Sequence, residues 1–99
     1  MAKEAVKTRT STELRYPGRY NVVIYNDDYT PVEFVIKMLV EVFNKDVNTA
    51  KSLTQEIHSQ GASIVGTYNA EIAEQKCSEG ISIARANGHP LQLKVERVE

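Results

Sequence analysis

Tyr20-Asn21-Val22-Val23-Ile24-Tyr25 is a β-branched and aromatic run entered from Pro17-Gly18, which predicts a strand that follows a turn. From Val32 onward the spacing becomes helical. Val32, Val35, Ile36, Leu39, Val42 and Phe43 share one face, predicting a helix from about Pro31 to Phe43, and Glu33, Lys37 and Glu41 mark its solvated stripe. Asp46 suits the cap of a second helix that places Ala50, Leu53 and Ile57 on one face and stops at Gly61. Ala62 to Tyr68 reads as a strand weakened by Gly66. Asn69 can cap a third helix running to about Ala86, closed by Asn87-Gly88 and Pro90. Leu91 to Glu96 alternates, so the last strand has one buried and one wet face.

The predicted order is β-α-α-β-α-β. Each amphipathic helix needs a surface to cover, so the economical architecture is α+β, a short sheet with helices packed over one face. Met1 to about Gly18 shows neither periodicity and is expected to be a flexible N-terminal extension, leaving residues 19–99 as the core domain. A chain of 99 residues supports one modest core, and it contains no internal repeat.

Composition narrows the function mainly by exclusion. A net charge of −1 provides no concentrated basic face for nucleic acid. No apolar run reaches the length of a membrane span, and the N-terminus lacks the apolar block of a secretory signal. The single cysteine, Cys77, falls among Ala73, Ile81 and Ala84 in the third helical pattern and reads as a small core residue. These features predict a cytoplasmic protein.

The candidate chemistry lies in Asn26-Asp27-Asp28-Tyr29-Thr30-Pro31, where a strand ends and a helix opens. One reading is structural: Thr30 as N-cap, Pro31 in the first turn and Glu33 as the acid of a capping box. The other is a cation site completed by His58, which falls in the last turn of the second helix, where the helix dipole also favours a histidine. Thr54, Ile57 and His58 stand at i, i+3 and i+4, so one helix face can supply both an apolar wall and a polar ligand. No nucleophile motif, phosphate-cradling glycine loop or His-x-x-x-His pair accompanies the cluster, which argues against an enzyme and against a bound metal or cofactor. Carboxylate and amide oxygens are acceptors, and a peptide's α-amino group is a compact charged donor that they could hold.

The corner, together with Val22 to Tyr25 before it and Val32-Glu33-Phe34-Val35 after it, then Ile57-His58-Ser59-Gln60-Gly61, Ala70-Glu71-Ile72-Ala73-Glu74 with Lys76, and His89-Pro90-Leu91, resembles the ClpS adaptor family over about residues 18–99. The resemblance implies an α/β sandwich of three antiparallel strands and three helices. It also implies an adaptor that binds N-degrons with a bulky hydrophobic first residue, Leu, Phe, Tyr or Trp, and hands them to a ClpA- or ClpC-type AAA+ unfoldase without chemistry on the peptide. Carried over by position, Asn26, Asp27 and His58 would hold the α-amino group, with Asp27 acting partly through water. Asp28 and Thr30 would meet the following backbone. Val32, Val35, Thr54, Ile57 and Leu91 would line the side-chain pocket, although Val35, Ile57 and Leu91 also fit a plain core. Glu71 and Lys76 would touch the unfoldase, the N-terminal extension would take part in delivery, and His89 reads as a helix-exit residue. The sequence departs from the family pattern at Val32 and Thr54, where many members carry Met. The Thr54 hydroxyl either faces the ligand or bonds back to the Ala50 carbonyl. The alternative is an interaction domain like that at the C-terminus of the ribosomal stalk protein, which shares this fold.

Overall fold

The computed structural model describes residues 18–98. Six elements follow in the predicted order: β1 (Tyr20–Tyr25), α1 (Val32–Glu41), α2 (Val47–Gln60), β2 (Ala62–Tyr68), α3 (Ala70–Ala86) and β3 (Gln92–Arg97). The strands form one antiparallel sheet in the order β2-β1-β3, so the first strand is the central one. The expected N-terminal extension lies outside the described residues except for Gly18.

Two helix starts follow the sequence signals. Asp46 accepts the Thr49 N–H at 2.7 Å and opens α2, and Asn69 accepts the Ile72 N–H at 2.9 Å and opens α3. Each side chain satisfies a donor that the first helical turn leaves without a partner. At its other end, α2 stops on Gly61, whose φ of 91° is the left-handed cap conformation that glycine adopts without penalty.

The start of α1 differs from the predicted capping box. Pro31 occupies the cap position and no side chain bonds to the helix start. The Thr30 hydroxyl donates instead to Asp27 Oδ2 at 2.8 Å, so Thr30 belongs to the turn before the helix. The helix also ends at Glu41 rather than Phe43, with Val42 as its cap, although Val42 and Phe43 both remain buried. Apolar periodicity reports burial, and burial continues past the last helical hydrogen bond. Lys76 Nζ donates to the Val42 carbonyl at 2.8 Å and fastens that end of α1 to α3.

Val22, Ile24, Val65 and Leu93 point to the face on which the helices pack, and all three helices contribute to this core. Helix α3 contacts every strand, while α1 packs on α2. Cys77 is buried in that core as predicted. Burial, with Glu74 nearby, pushes its thiol up, leaving it protonated and a poor nucleophile. Strict alternation in β2 breaks at Gly66, because a bulge shifts the register between Val22↔Gly66 and Val23↔Ile64. The bulge lets Tyr68 pair with Tyr20 and pack on the core while the Thr67 hydroxyl donates to Asn21 Oδ1 at 2.6 Å.

Candidate functional site

Sheet register assembles the site. Tyr25, the last residue of β1, pairs with Ala62 at the start of β2 and with Gln92 at the start of β3. The residues just outside these pairs, Asn26, Gly61 and Leu91, therefore meet at one end of the sheet. The Asn26 N–H donates to the Gly61 carbonyl at 2.9 Å, which ties the polar corner to the end of α2. His58 stands in the last turn of α2, three residues before that anchor.

The corner is organised by Asp27. Its Oδ1 accepts the N–H groups of Tyr29 and Thr30, each at 2.8 Å, and its Oδ2 accepts the Thr30 hydroxyl. Partial burial by itself would raise the Asp27 carboxyl. The bonds accepted from Tyr29 and Thr30, with His89 nearby, outweigh that effect and hold it below the usual carboxylate range. Asp27 is thus anionic at neutral pH. A carboxylate can accept about four hydrogen bonds, and the three made here among the described residues leave one lone pair of Oδ2 for a further donor.

A cavity of about 250 Å³ opens between this corner, α1 and α2. Asn26, Asp27, Asp28, Thr30 and His58 supply its polar side, and Val32, Val35, Thr54, Ile57 and Leu91 supply the rest. Ten residues selected from the sequence thus border one cavity. Val35, Ile57 and Leu91 belong to the core as well, each at most 6% exposed, so the plain-core reading and the pocket reading describe the same side chains seen from two sides. Val32 differs, being 55% exposed at the mouth. The Thr54 hydroxyl donates to the Ala50 carbonyl at 2.7 Å, which decides between the two options for it: its donor is used within the helix, and the remainder of the side chain serves as wall.

Glu71 and Lys76 are not part of this cavity. Glu71 is exposed in the first turn of α3. Lys76 is partly buried, bonded to Val42, 3.3 Å from Asn44 Oδ1 and over the Tyr68 ring at 5.6 Å, so its ammonium holds the fold together as well as carrying surface charge.

Helix exit describes only part of His89. Its ring meets Phe34 edge-on at a centroid distance of 4.6 Å and lies close enough to Asp27 to favour the carboxylate. Arg85 has no motif to mark it, yet its guanidinium spans the carbonyls of His89 and Leu91. Among the described residues no His, Cys, Asp and Glu side chains cluster in a way that could hold a metal ion. No helix there is long and apolar enough to cross a membrane.

Residues 15–94 match the model of the family described as "ATP-dependent Clp protease adaptor protein ClpS". The chain belongs to the ClpS family. It is an adaptor of the Clp protease and not an enzyme, and membership removes the ribosomal-stalk alternative. ClpS of Vibrio atlanticus is 42% identical over 87 residues, 88% of this chain and 82% of that protein. ClpS of Phenylobacterium zucineum is 38% identical over 95 residues, 96% of this chain and 87% of that protein. The structure of Agrobacterium tumefaciens ClpS2 bound to L-phenylalaninamide superposes with a TM-score of 0.81 at 34% identity, covering 83% of this chain and 99% of that one.

Proposed function

We propose that this ClpS adaptor captures proteins by their first residue, holding the α-amino group at Asn26, Asp27 and His58 and the hydrophobic side chain against Val35, Ile57 and Leu91. The observation that carries the reading is the cavity itself, which sets hydrogen-bond acceptors beside an apolar wall. Ligand pockets for drug-sized molecules span about 300–1,000 Å³. A cavity of about 250 Å³ suits a single amino-acid side chain. The ClpS2 neighbour was solved with L-phenylalaninamide, a molecule with a free α-amine and a bulky apolar side chain, which supports the same division of labour. Asp28 and Thr30, on the polar side of the cavity, are assigned to the backbone that follows the first residue.

His58 can accept a hydrogen bond from an ammonium only when one ring nitrogen is unprotonated. Protonation removes that acceptor and sets a cation beside a cation. His58→Ala is therefore expected to weaken binding of a Leu-first peptide, and His58→Lys to weaken it further, because a lysine ammonium has donors and no acceptor. A fluorescence titration of parent and variants, with folding verified for each, checks it; parent-like affinity in both variants removes His58 as a ligand.

Val32 is expected to widen the range of accepted first residues. A β-branched, half-exposed side chain at the mouth crowds an entering residue less than the longer methionine of many relatives, so Ile and Val should bind more nearly like Leu. Peptides starting with Leu, Ile, Val, Phe, Tyr and Trp, titrated against parent and Val32→Met, test this. Unaltered discrimination against Ile and Val in the variant shows that the gate lies elsewhere.

Delivery completes the proposal. The adaptor would act in the cytoplasm and dock on a ClpA- or ClpC-type AAA+ unfoldase through the surface carrying Glu71 and Lys76, with the N-terminal segment engaged during handover. Removing residues 1–16 should leave peptide affinity intact and impair degradation of an N-degron substrate by the unfoldase and its protease. Full degradation by the shortened adaptor, at matched affinity, takes that segment out of the mechanism.

A further inference from the structure

Between the end of α3 and the start of β3 the chain crosses the floor of the cavity, and the side chain of Arg85 bonds this crossing around Pro90. Arg85 Nη1 donates to the carbonyl of His89 at 2.9 Å and to that of Leu91 at 2.7 Å, the two carbonyls on either side of Pro90. Proline supplies no N–H, so the segment has one donor fewer with which to fix itself. The remaining ties are those of Asn87 to Ile83 and Ala84, the His89 N–H to Ala84 at 2.8 Å and the Gly88 N–H to Arg85 at 3.0 Å, and all lie before the proline. A charged donor shared by two carbonyls makes stronger bonds than a neutral one.

The segment reaches the site at two points. Leu91 is only 1% exposed and lines the apolar part of the cavity. His89 packs on Phe34 and lies near enough to Asp27, the residue that organises the polar corner, to favour its carboxylate. We infer that Arg85 is a positioning residue of the binding pocket: by clamping the carbonyls on both sides of Pro90 it sets the depth of Leu91, and with it the first-residue side chains that fit. The inference rests on the proposed reading of the pocket.

Arg85→Met removes the donors and keeps the aliphatic stem. In the 99-residue chain it is expected to weaken binding of Leu-first and Phe-first peptides about tenfold, roughly the loss of one charge-assisted bond. Ala-first peptides, which do not reach the floor, should be affected much less. Arg85→Lys, which retains a charged donor, should recover part of the loss. Leu91→Ala already removes the group that Arg85 positions, so adding Arg85→Met to it should change affinity by less than about twofold. An equal loss for Ala-first and Leu-first peptides, or the full loss persisting in the Leu91→Ala background, would mean that Arg85 supports the fold only, and the inference fails. Methyl NMR of the free protein provides a readout without peptide. Arg85→Met should move the Leu91 methyl signals, and unchanged signals overturn the inference. If the parent does not prefer hydrophobic first residues, the reading of the pocket is wrong, and the methyl spectra alone decide the role of Arg85.

Discussion

Acetylating the α-amino group of a Leu-first peptide is expected to weaken its binding by at least about a hundredfold, because a hydrogen bond to a charged group contributes about 1.5–3 kcal/mol and acetylation removes two donors with the charge. The acceptors that would lose their partner are on one side of the cavity: the Asn26 amide oxygen, the remaining lone pair of Asp27 Oδ2 and the His58 ring. The apolar wall would still attract the leucine side chain, so residual binding should track hydrophobicity alone. Isothermal titration of free and acetylated peptides in the same buffer makes the comparison. Equal affinities would show that the cavity binds side chains without capturing the amine.

Asp27→Ala is the substitution expected to do the most damage, since it removes an acceptor from three bonds of 2.8 Å at once. The N–H groups of Tyr29 and Thr30 and the Thr30 hydroxyl would have only water to turn to. Loss of a comparable capping residue costs about 0.5–2 kcal/mol of stability. The corner would lose its shape along with its charge, and Leu-first affinity should fall more than about tenfold. Asp27→Asn separates the two effects, because its Oδ1 can still accept both N–H groups while the negative charge is gone. It should unfold at a denaturant midpoint between those of Asp27→Ala and the parent, and bind more weakly than the parent, though better than Asp27→Ala. If Asp27→Ala binds as tightly as the parent, the corner is not part of the site.

The same carboxylate links stability to pH. Its folded-state pKa is depressed, so its contribution is fully present above the ordinary aspartate range, near about pH 4, and is lost as pH falls through the lower folded value. Denaturation midpoints below about pH 4 should therefore drop more steeply for the parent than for Asp27→Asn.

Much of this architecture is written in local pattern. The change from β-branched runs to i, i+3, i+4 spacing located all six elements in order, and Asp46, Asn69 and Gly61 marked helix ends because each meets a requirement set within a few residues of itself. The motifs at residues 26–31, 57–61 and 89–91 pointed to one family and to ten residues that border one cavity, because family motifs carry information about contacts that periodicity alone does not. What the sequence could not settle depended on competition between alternative partners, near and distant along the chain. Thr30 has the chemistry of a helix cap, yet Asp27 takes its hydroxyl once the turn closes. Lys76 reads as a surface charge until α3 lies beside the end of α1 and the Val42 carbonyl becomes its acceptor. Arg85 and His89 act on the cavity only because the antiparallel register returns Leu91 to the side of Asn26, bringing the segment before β3 under the corner that follows β1. Local spacing determines which residues share a face. Which faces meet, and which donor reaches a given carbonyl first, is decided by packing the helices over one small sheet.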